Sequence, residues 1–348
     1  MKKKRKISIK DISEELGIST TTISFIINNK AENRISKKVI KRVEDYIQEV
    51  GYIPNSSAQT LRTGKTKTIV FMAEDISDPF FSAIAKEMEG IAFENGYKII
   101  YCSTENNKER AIELLNLFKE RQVDAFIITP PEGFREELEV LINERKQVVM
   151  VFDRYYDDLD HNYVVLDNIE GSKQATSYLF ETGFNNVGFI GLKSDISPTL
   201  ERLEGYRQGV KAKGKNEFSV LIPFDKVKTG TGKEMIREFL KKNPQIDSLL
   251  FATNSLAISG LKVLKEESLN IPKDVSVITF DDRDLFELYS PSISVVSQPV
   301  SKLADELIKG TLNLLKSEYK ETVKFQKVLK GHLIKRDSSQ LTPEDSSI

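Results

Sequence analysis

The sequence predicts an α/β protein in which a small three-helix N-terminal unit precedes a core of two parallel-sheet lobes. Three observations carry this expectation. Apolar residues over 7–52 recur at helical spacing with no strand-like alternation. From residue 68 onward, short continuous apolar runs alternate with longer amphipathic stretches, the pattern of parallel sheets covered by helices on both faces. The charge also divides there: residues 1–67 carry 15 Lys/Arg against 7 Asp/Glu, a net of +8, whereas 68–348 carry 36 against 45, a net of -9. With 348 residues, 39% of them hydrophobic, the chain suits two or three domains and a large core.

The first helix places Ile9, Ile12 and Leu16 on one face and stops at Gly17. Ser19 is a good N-cap for the second, which runs to about Asn28 with Ile23, Ile26 and Ile27 inward. Ser36 can cap a third, whose stripe is Val39, Ile40, Val43, Ile47 and Val50, ending at Gly51. Three such helices make a barely sufficient core. Residues 1–52 are therefore read as one domain. Pro54 and a polar, capping-rich stretch make 53–67 a linker with at most one short helix, over 57–62.

Strand-like runs follow at 68–73, 98–102, 124–129, 147–152, 163–166, 187–192, 219–223, 248–253 and 275–280, with helices such as 80–95 and 108–121 between them. The count is too high for one compact sheet, so two similar lobes are expected, the chain crossing at 167–171. Further strands at 294–299 and 324–335 flank a helix at 301–315, which implies a late return to both lobes. The core is thus read as 68–338: lobe 1 at about 68–166 and 299–324, lobe 2 at about 167–298 and 325–338, then a polar tail at 339–348.

Several chemistries lack support. One cysteine, Cys102, excludes an intramolecular disulfide, and with only two histidines it weakens any metal site. Cys102 lies in an apolar run, where a buried thiol is the default. No run approaches the roughly 20 apolar residues of a membrane span. The basic start, Lys2 to Lys6, leads into Asp11, Glu14 and Glu15 with no apolar signal region, so a cytoplasmic protein is expected. There is no phosphate loop, dinucleotide fingerprint or metal-ligand cluster. Asp281 and Asp282 are neighbours in sequence rather than the facing pair a glycosidase needs. Neither an enzyme nor a cofactor is indicated. The basic first segment points to a polyanion partner for that part alone, although Lys2 to Lys6 could also be a solvated tail.

The order of short motifs adds more. Ser8-Ile9-Lys10-Asp11-Ile12, Gly17-Ile18-Ser19-Thr20-Thr21-Thr22-Ile23-Ser24, Asn28-Asn29, Gly51-Tyr52-Ile53-Pro54-Asn55 and Ala58-Gln59-Thr60-Leu61-Arg62-Thr63-Gly64 come first. Asp75-Ile76-Ser77-Asp78-Pro79-Phe80-Phe81, Phe152-Asp153-Arg154, Arg202-Leu203-Glu204-Gly205-Tyr206, Phe280-Asp281-Asp282 and Gln298-Pro299 follow. In that order and spacing the chain resembles the lactose-repressor (LacI/GalR) family of bacterial transcription regulators, to about Ser338. The core alone would equally resemble periplasmic sugar-binding proteins; the N-terminal helices and missing signal peptide discriminate.

The resemblance implies a helix-turn-helix whose second helix enters the major groove of double-stranded operator DNA. It carries base contacts to Thr20, Thr21 and Phe25 and phosphate contacts to Ser19, Ser24 and Asn28. Phe25 stands where the family usually has Arg, so a bidentate guanine contact gives way to apolar contact with a thymine methyl. Asn55 belongs to the inherited DNA-binding set. In the family the linker helix sits in the minor groove with a leucine wedged between bases; Leu61 takes that place, and Ala58 packs on its symmetry mate in a homodimer. Capping by the hydroxyls and packing of Leu61 on the core are the alternatives.

The same resemblance places a sugar-like effector between the lobes. Phe80 or Phe81 would stack on a ring. Asp78, Asp153, Arg154, Arg202, Asn254, Asp281 and Gln298 would bind polar groups, the acids taking hydroxyls and Arg202 offering a fork of donors. Asn254-Ser255 replaces the family's common Asn-Asp, which suggests an altered effector such as one with an acidic group. A sugar-binding module without DNA binding, and a sugar-processing enzyme, are the competing classes.

Overall fold

The structure is a computed structural model that describes residues 7–28, 31, 34–52, 60, 64–144, 146–317 and 324–340. Asn55, Ala58 and Leu61, and most of the proposed linker helix, lie outside the described residues. The chain forms two compact units, Met1–Thr66 and Lys67–Ile348.

The first unit holds α1 (Ile9–Leu16), α2 (Thr20–Ile27) and α3 (Lys37–Val50). Ser8 caps α1 through a reciprocal box with Asp11, its hydroxyl taking the Asp11 N–H while the Asp11 carboxylate takes the Ser8 N–H at 2.7 Å. Gly17 ends α1 in the left-handed region, φ 63°, where a side chain would be strained. Ser36 sits at the N-cap of α3, but its side chain makes no capping hydrogen bond. Ile12, Ile23 and Val43, one from each helix, are fully buried at the centre, and Ile9, Val39, Ile40 and Ile47 pack around them.

The second unit contains two six-stranded sheets among the described residues. Lobe 1 comprises β1 (Thr68–Ala73), α4 (Pro79–Glu94), β2 (Lys98–Ser103), α5 (Lys108–Glu120), β3 (Ala125–Ile128), α6 (Arg135–Glu144), β4 (Val148–Phe152) and β5 (Asn162–Leu166). Lobe 2 comprises α7 (Asn168–Glu181), β6 (Val187–Lys193), α8 (Ser197–Ala212), β7 (Phe218–Pro223), α9 (Phe224–Lys228), α10 (Gly232–Lys242), β8 (Ser248–Phe251), α11 (Asn254–Glu266), β9 (Ser276–Phe280), α12 (Asp284–Leu288) and β10 (Ser294–Ser297). The chain then returns to lobe 1 as α13 (Val300–Lys316) and β11 (Gln326–Leu329), and closes in lobe 2 with β12 (His332–Ile334).

Strand order is β11-β5-β4-β3-β1-β2 in lobe 1 and β12-β10-β9-β8-β6-β7 in lobe 2, parallel except for β12. The central strands β3, β4, β8 and β9 are buried along their whole length, as strands covered on both faces must be. In lobe 1, α4 and α13 bury Met88, Leu303 and Leu307 against one face while α5 and α6 bury Leu115 and Leu138 against the other. In lobe 2, α7 and α8 pack so closely that a side-chain carbon on Gly205 would lie 2.2 Å from the Ile169 carbonyl oxygen. That contact fixes α8, which carries Arg202.

One boundary differs from the sequence reading. The run 324–335 is not one strand of lobe 2: β11 pairs in parallel with β5 of lobe 1, and only β12 joins lobe 2, antiparallel to β10. Both halves mix apolar residues with Lys and with Gln or His, and that pattern does not say which sheet edge a strand joins. The chain therefore crosses between lobes after β5, after β10 and after β11. The crossings are tied together, since the Asp167 N–H donates to the Leu329 carbonyl at 2.7 Å.

Candidate DNA-reading helix and effector cleft

On the N-terminal unit, Thr20 and Thr21 stand exposed in the first turn of α2. Ser19 caps that helix, its hydroxyl accepting from the Thr22 N–H at 3.1 Å and lying 2.8 Å from the Thr22 hydroxyl. Capping is thus one function of Ser19. Asn28 at the far end donates to the Ser24 carbonyl at 2.6 Å, so two of the three phosphate-contact candidates, Ser24 and Asn28, meet at the C-terminus of the helix. Phe25 is half-buried and is not among the side chains that pack on the unit's core. An apolar ring outside the core, one helical turn from Thr21, is available for contact.

In the second unit, the carboxyl ends of both sheets face one cleft of about 580 Å³, within the range of small-molecule sites. All the side chains named above for the effector line it: Asp78, Phe80, Phe81, Asp153, Arg154, Arg202, Asn254, Asp281 and Gln298. Asp78, Asp153, Arg154, Asp281 and Gln298 stand on segments that leave strands, while Phe80 and Phe81 lie in the first turn of α4, Asn254 opens α11 and Arg202 lies within α8. Asp153 directly follows β4 and Asp281 directly follows β9; both sit in the left-handed region, at φ 66° and 68°. Asp tolerates that conformation better than most residues, and its use in both lobes aims a carboxylate into the cleft from each side.

The two carboxylates are held differently. Asp281 accepts from the Gln298 amide at 2.6 Å and, at 3.5 Å, from the Asn254 amide. Asp153 has the Arg154 Nε at 3.7 Å, beyond hydrogen-bond reach. Burial pushes the Asp153 carboxyl up to about 6; the nearby Arg202 cation opposes this, and the charges of Asp281, Glu201 and Asp78 add to it.

Arg202 is buried, donates from Nε to Asn168 at 2.8 Å and from Nη1 to the Ala252 carbonyl at 2.6 Å, and stacks over Phe280 at 4.2 Å. It is a rigidly placed cation. Arg154 is more committed: it pairs with Glu74 and donates to Asn106 at 2.7 Å and to the Pro130 carbonyl at 3.2 Å, so most of its donors serve lobe 1 itself. Phe81 is largely core, whereas Phe80 is half-buried and stacks on Phe152 at 5.7 Å, leaving Phe80 as the aromatic wall. Asp78 caps α4 by accepting from the Phe80 N–H at 2.8 Å, and its other oxygen takes the Arg283 guanidinium at 2.6 Å.

Other residues of the cleft escaped the sequence reading. Leu192, Ile196, Phe224 and Val227 form an apolar shelf on lobe 2. Between the lobes, Tyr155 of lobe 1 donates to Glu201 at 2.8 Å, and its backbone N–H donates to Ser197 at 3.1 Å. Glu201 also accepts from Asn168, the partner of Arg202. Only adjacency to Arg202 hinted at Glu201. Cys102 is half-buried rather than buried, its thiol 3.8 Å from the Phe71 carbonyl and pushed up to about 11 by desolvation. It is far from reactive. Among the described residues no helix is long and apolar enough to cross a membrane.

Comparison with known proteins agrees with this fold. Residues 8–55 match the family model described as bacterial regulatory proteins, lacI family, and residues 176–339 match the periplasmic binding protein-like domain. The HTH-type transcriptional regulator RegA of Clostridium saccharobutylicum is 32% identical over 334 residues, 95% of this chain and 99% of that protein. The crystal structure of the lac repressor dimer bound to operator and the anti-inducer ONPF superposes with a TM-score of 0.85 at 18% identity, covering 97% of this chain and all of that one. A transcriptional regulator CelR–cellobiose complex superposes with a TM-score of 0.69 at 23% identity, covering 96% of this chain and 100% of that chain. The helix-turn-helix, the two-lobed core and end-to-end similarity to RegA lead to one assignment: the chain belongs to the lacI family of bacterial regulatory proteins and is a DNA-binding transcriptional regulator.

Proposed function

We propose that the protein is a cytoplasmic homodimeric repressor whose affinity for a pseudo-palindromic operator is set by a sugar or sugar derivative bound between its lobes. The observation that carries this is the cleft. Asp153 and Asp281 accept, Arg202 and Asn254 donate, and Phe80 supplies a flat apolar wall, which together suit a ring bearing several hydroxyls. The lac repressor dimer on its operator and the cellobiose complex of CelR support the two halves of the reading. Lining carboxylates (Glu74, Asp75, Asp78, Glu105, Asp153, Asp281) outnumber lining guanidiniums (Arg154, Arg202) six to two. A neutral polyol therefore fits better than the acidic effector that Asn254-Ser255 suggested.

Thr20, Thr21 and Phe25 are the base-reading residues, with Ser19, Ser24 and Asn28 at phosphates. Asn55, Ala58 and Leu61 serve the linker, where Leu61 wedges into the minor groove of a kinked site. A helix this short is marginal alone and folds on DNA against its mate, so lobe rearrangement can bias it. Leu61→Ala then weakens operator binding far more than random-duplex binding and shrinks the response to effector.

The test begins by selecting an operator from a random duplex pool. Its affinity, and the melting temperature of the protein, are then measured against a panel of mono- and disaccharides. At least one sugar should raise the melting temperature and change operator affinity by about 5- to 150-fold. A sugar that stabilises the protein without changing operator affinity removes the allosteric half; a panel with no stabilising sugar removes the sugar half.

A further inference from the structure

We propose that Asp78 and Arg283 form a clasp beside the cleft that holds the two lobes together, with Arg283 as a positioning residue for the effector site. Asp78 belongs to lobe 1 and caps α4; Arg283 belongs to lobe 2 and stands at the N-cap of α12, two residues after Asp281. They are 205 residues apart in sequence, and Arg283 Nη2 lies 2.6 Å from Asp78 Oδ2. The pair is made by protein groups alone. Both ends sit beside effector-site residues, since Asp78 and Asp281 line the cleft.

The pair is more than a surface contact. Its side chains are only 20% and 25% exposed, and Arg283 Nε is buried with no hydrogen-bond partner. The guanidinium has surrendered water on that side and depends on Asp78 for its compensation. Asp78 depends less on Arg283, because its other oxygen accepts the Phe80 N–H at the N-terminus of α4, where the helix dipole favours a negative charge. The clasp is therefore asymmetric. Removing the carboxylate strands a desolvated cation, which regains water when the lobes part. Removing the cation leaves a carboxylate that is still satisfied. A capping role for Asp78 alone has no such asymmetry, because Asn caps helices as well as Asp does.

The experiment reads lobe separation with no ligand, so its failure leaves the sugar reading intact. In a Cys102→Ser background, spin labels at Glu113→Cys on α5 and Glu238→Cys on α10, both exposed positions, report the distance across the cleft by pulsed electron resonance, with labelled chain diluted in unlabelled. The parent should give one short, narrow distribution. Asp78→Asn should raise the open-to-closed ratio at least tenfold, Arg283→Gln by less, and the double variant no more than Arg283→Gln. Arg283→Lys, which keeps the charge, should stay near the parent. Unchanged distributions in Asp78→Asn and Arg283→Gln, or equal opening in both, would overturn the proposal. Should Asp78→Asn fail to fold, the contrast between Arg283→Gln and Arg283→Lys decides it, and equal distances in those two sink the clasp.

Discussion

The N-terminal unit and the two-lobed core hold their functional groups in opposite ways. Thr20 and Thr21 stand exposed on a helix capped by Ser19, in a small unit centred on three buried residues, Ile12, Ile23 and Val43, one from each of its helices. In the core, Arg202, Asn254 and Gln298 are buried and each is hydrogen-bonded to a protein partner. Residues 1–67 carry a net charge of +8 and residues 68–348 a net of -9. A polyanion is found through long-range charge and read on a surface, so its site tolerates looseness. A small neutral ring is found by fit in a desolvated cleft, where each polar group must be matched.

The largest test of that contrast is salt. If the head neutralises about 6 phosphates, operator affinity should fall with a log–log slope near -5, about a thousandfold between 50 and 200 mM salt. Effector affinity, measured by calorimetry with a sugar from the screen above, should scarcely move. A salt-independent operator affinity would break the comparison at its base.

Next in size is Asp281→Ala, which leaves the donors of Gln298 and Asn254 facing each other without an acceptor. It should cost about 2 kcal/mol or more of effector binding, roughly 30-fold, with effector-free operator affinity and its salt slope kept. If effector affinity is unchanged, the site lies elsewhere. Ser19→Ala acts on the other unit: losing the cap should destabilise the head by about 1 kcal/mol, roughly fivefold in its unfolding equilibrium. Calorimetric melting should show the core transition unmoved.

The smallest effect is on pH. Asp153 titrates at about 6 because burial penalises its charge. A hydroxyl-binding role needs the carboxylate, so effector affinity should drop about fourfold from pH 7.5 to 5.5 as the group protonates. Its raised value has a converse for stability. Between about pH 4 and 6 the folded core holds a proton that the unfolded chain has released. This group's contribution is thus full below the ordinary carboxylate range and lost as pH rises through about 6. Asp153→Asn should abolish the fourfold trend and flatten that part of the stability profile; a trend that survives the substitution belongs to another group.

Much of this molecule is local and could be read along the chain. Helices α1 to α3, the cap at Ser19 and the alternation of β and α from residue 68 follow from periodicities that short-range geometry imposes, whereas the capping box at Ser8 emerged only in the structure and the expected side-chain cap at Ser36 does not form. Asp153 and Asp281 were legible for the same reason: each directly follows an apolar strand, and strand ends in parallel sheets converge on the cleft. What the tertiary structure alone decided is pairing. It split 324–335 between two sheets, because β11 and β12 are both short strands of mixed polar and apolar residues and only the free edges beside β5 and β10 distinguish them. It engaged the donors of Arg154 within lobe 1 and buried Phe81 in the core while leaving Phe80 the more exposed of the two rings at the cleft. It joined Asp78 to Arg283 and Tyr155 to Glu201. A residue's secondary structure depends on neighbours a few positions away, whereas the partner of a charge across a cleft depends on how the two lobes of the folded core come to face each other.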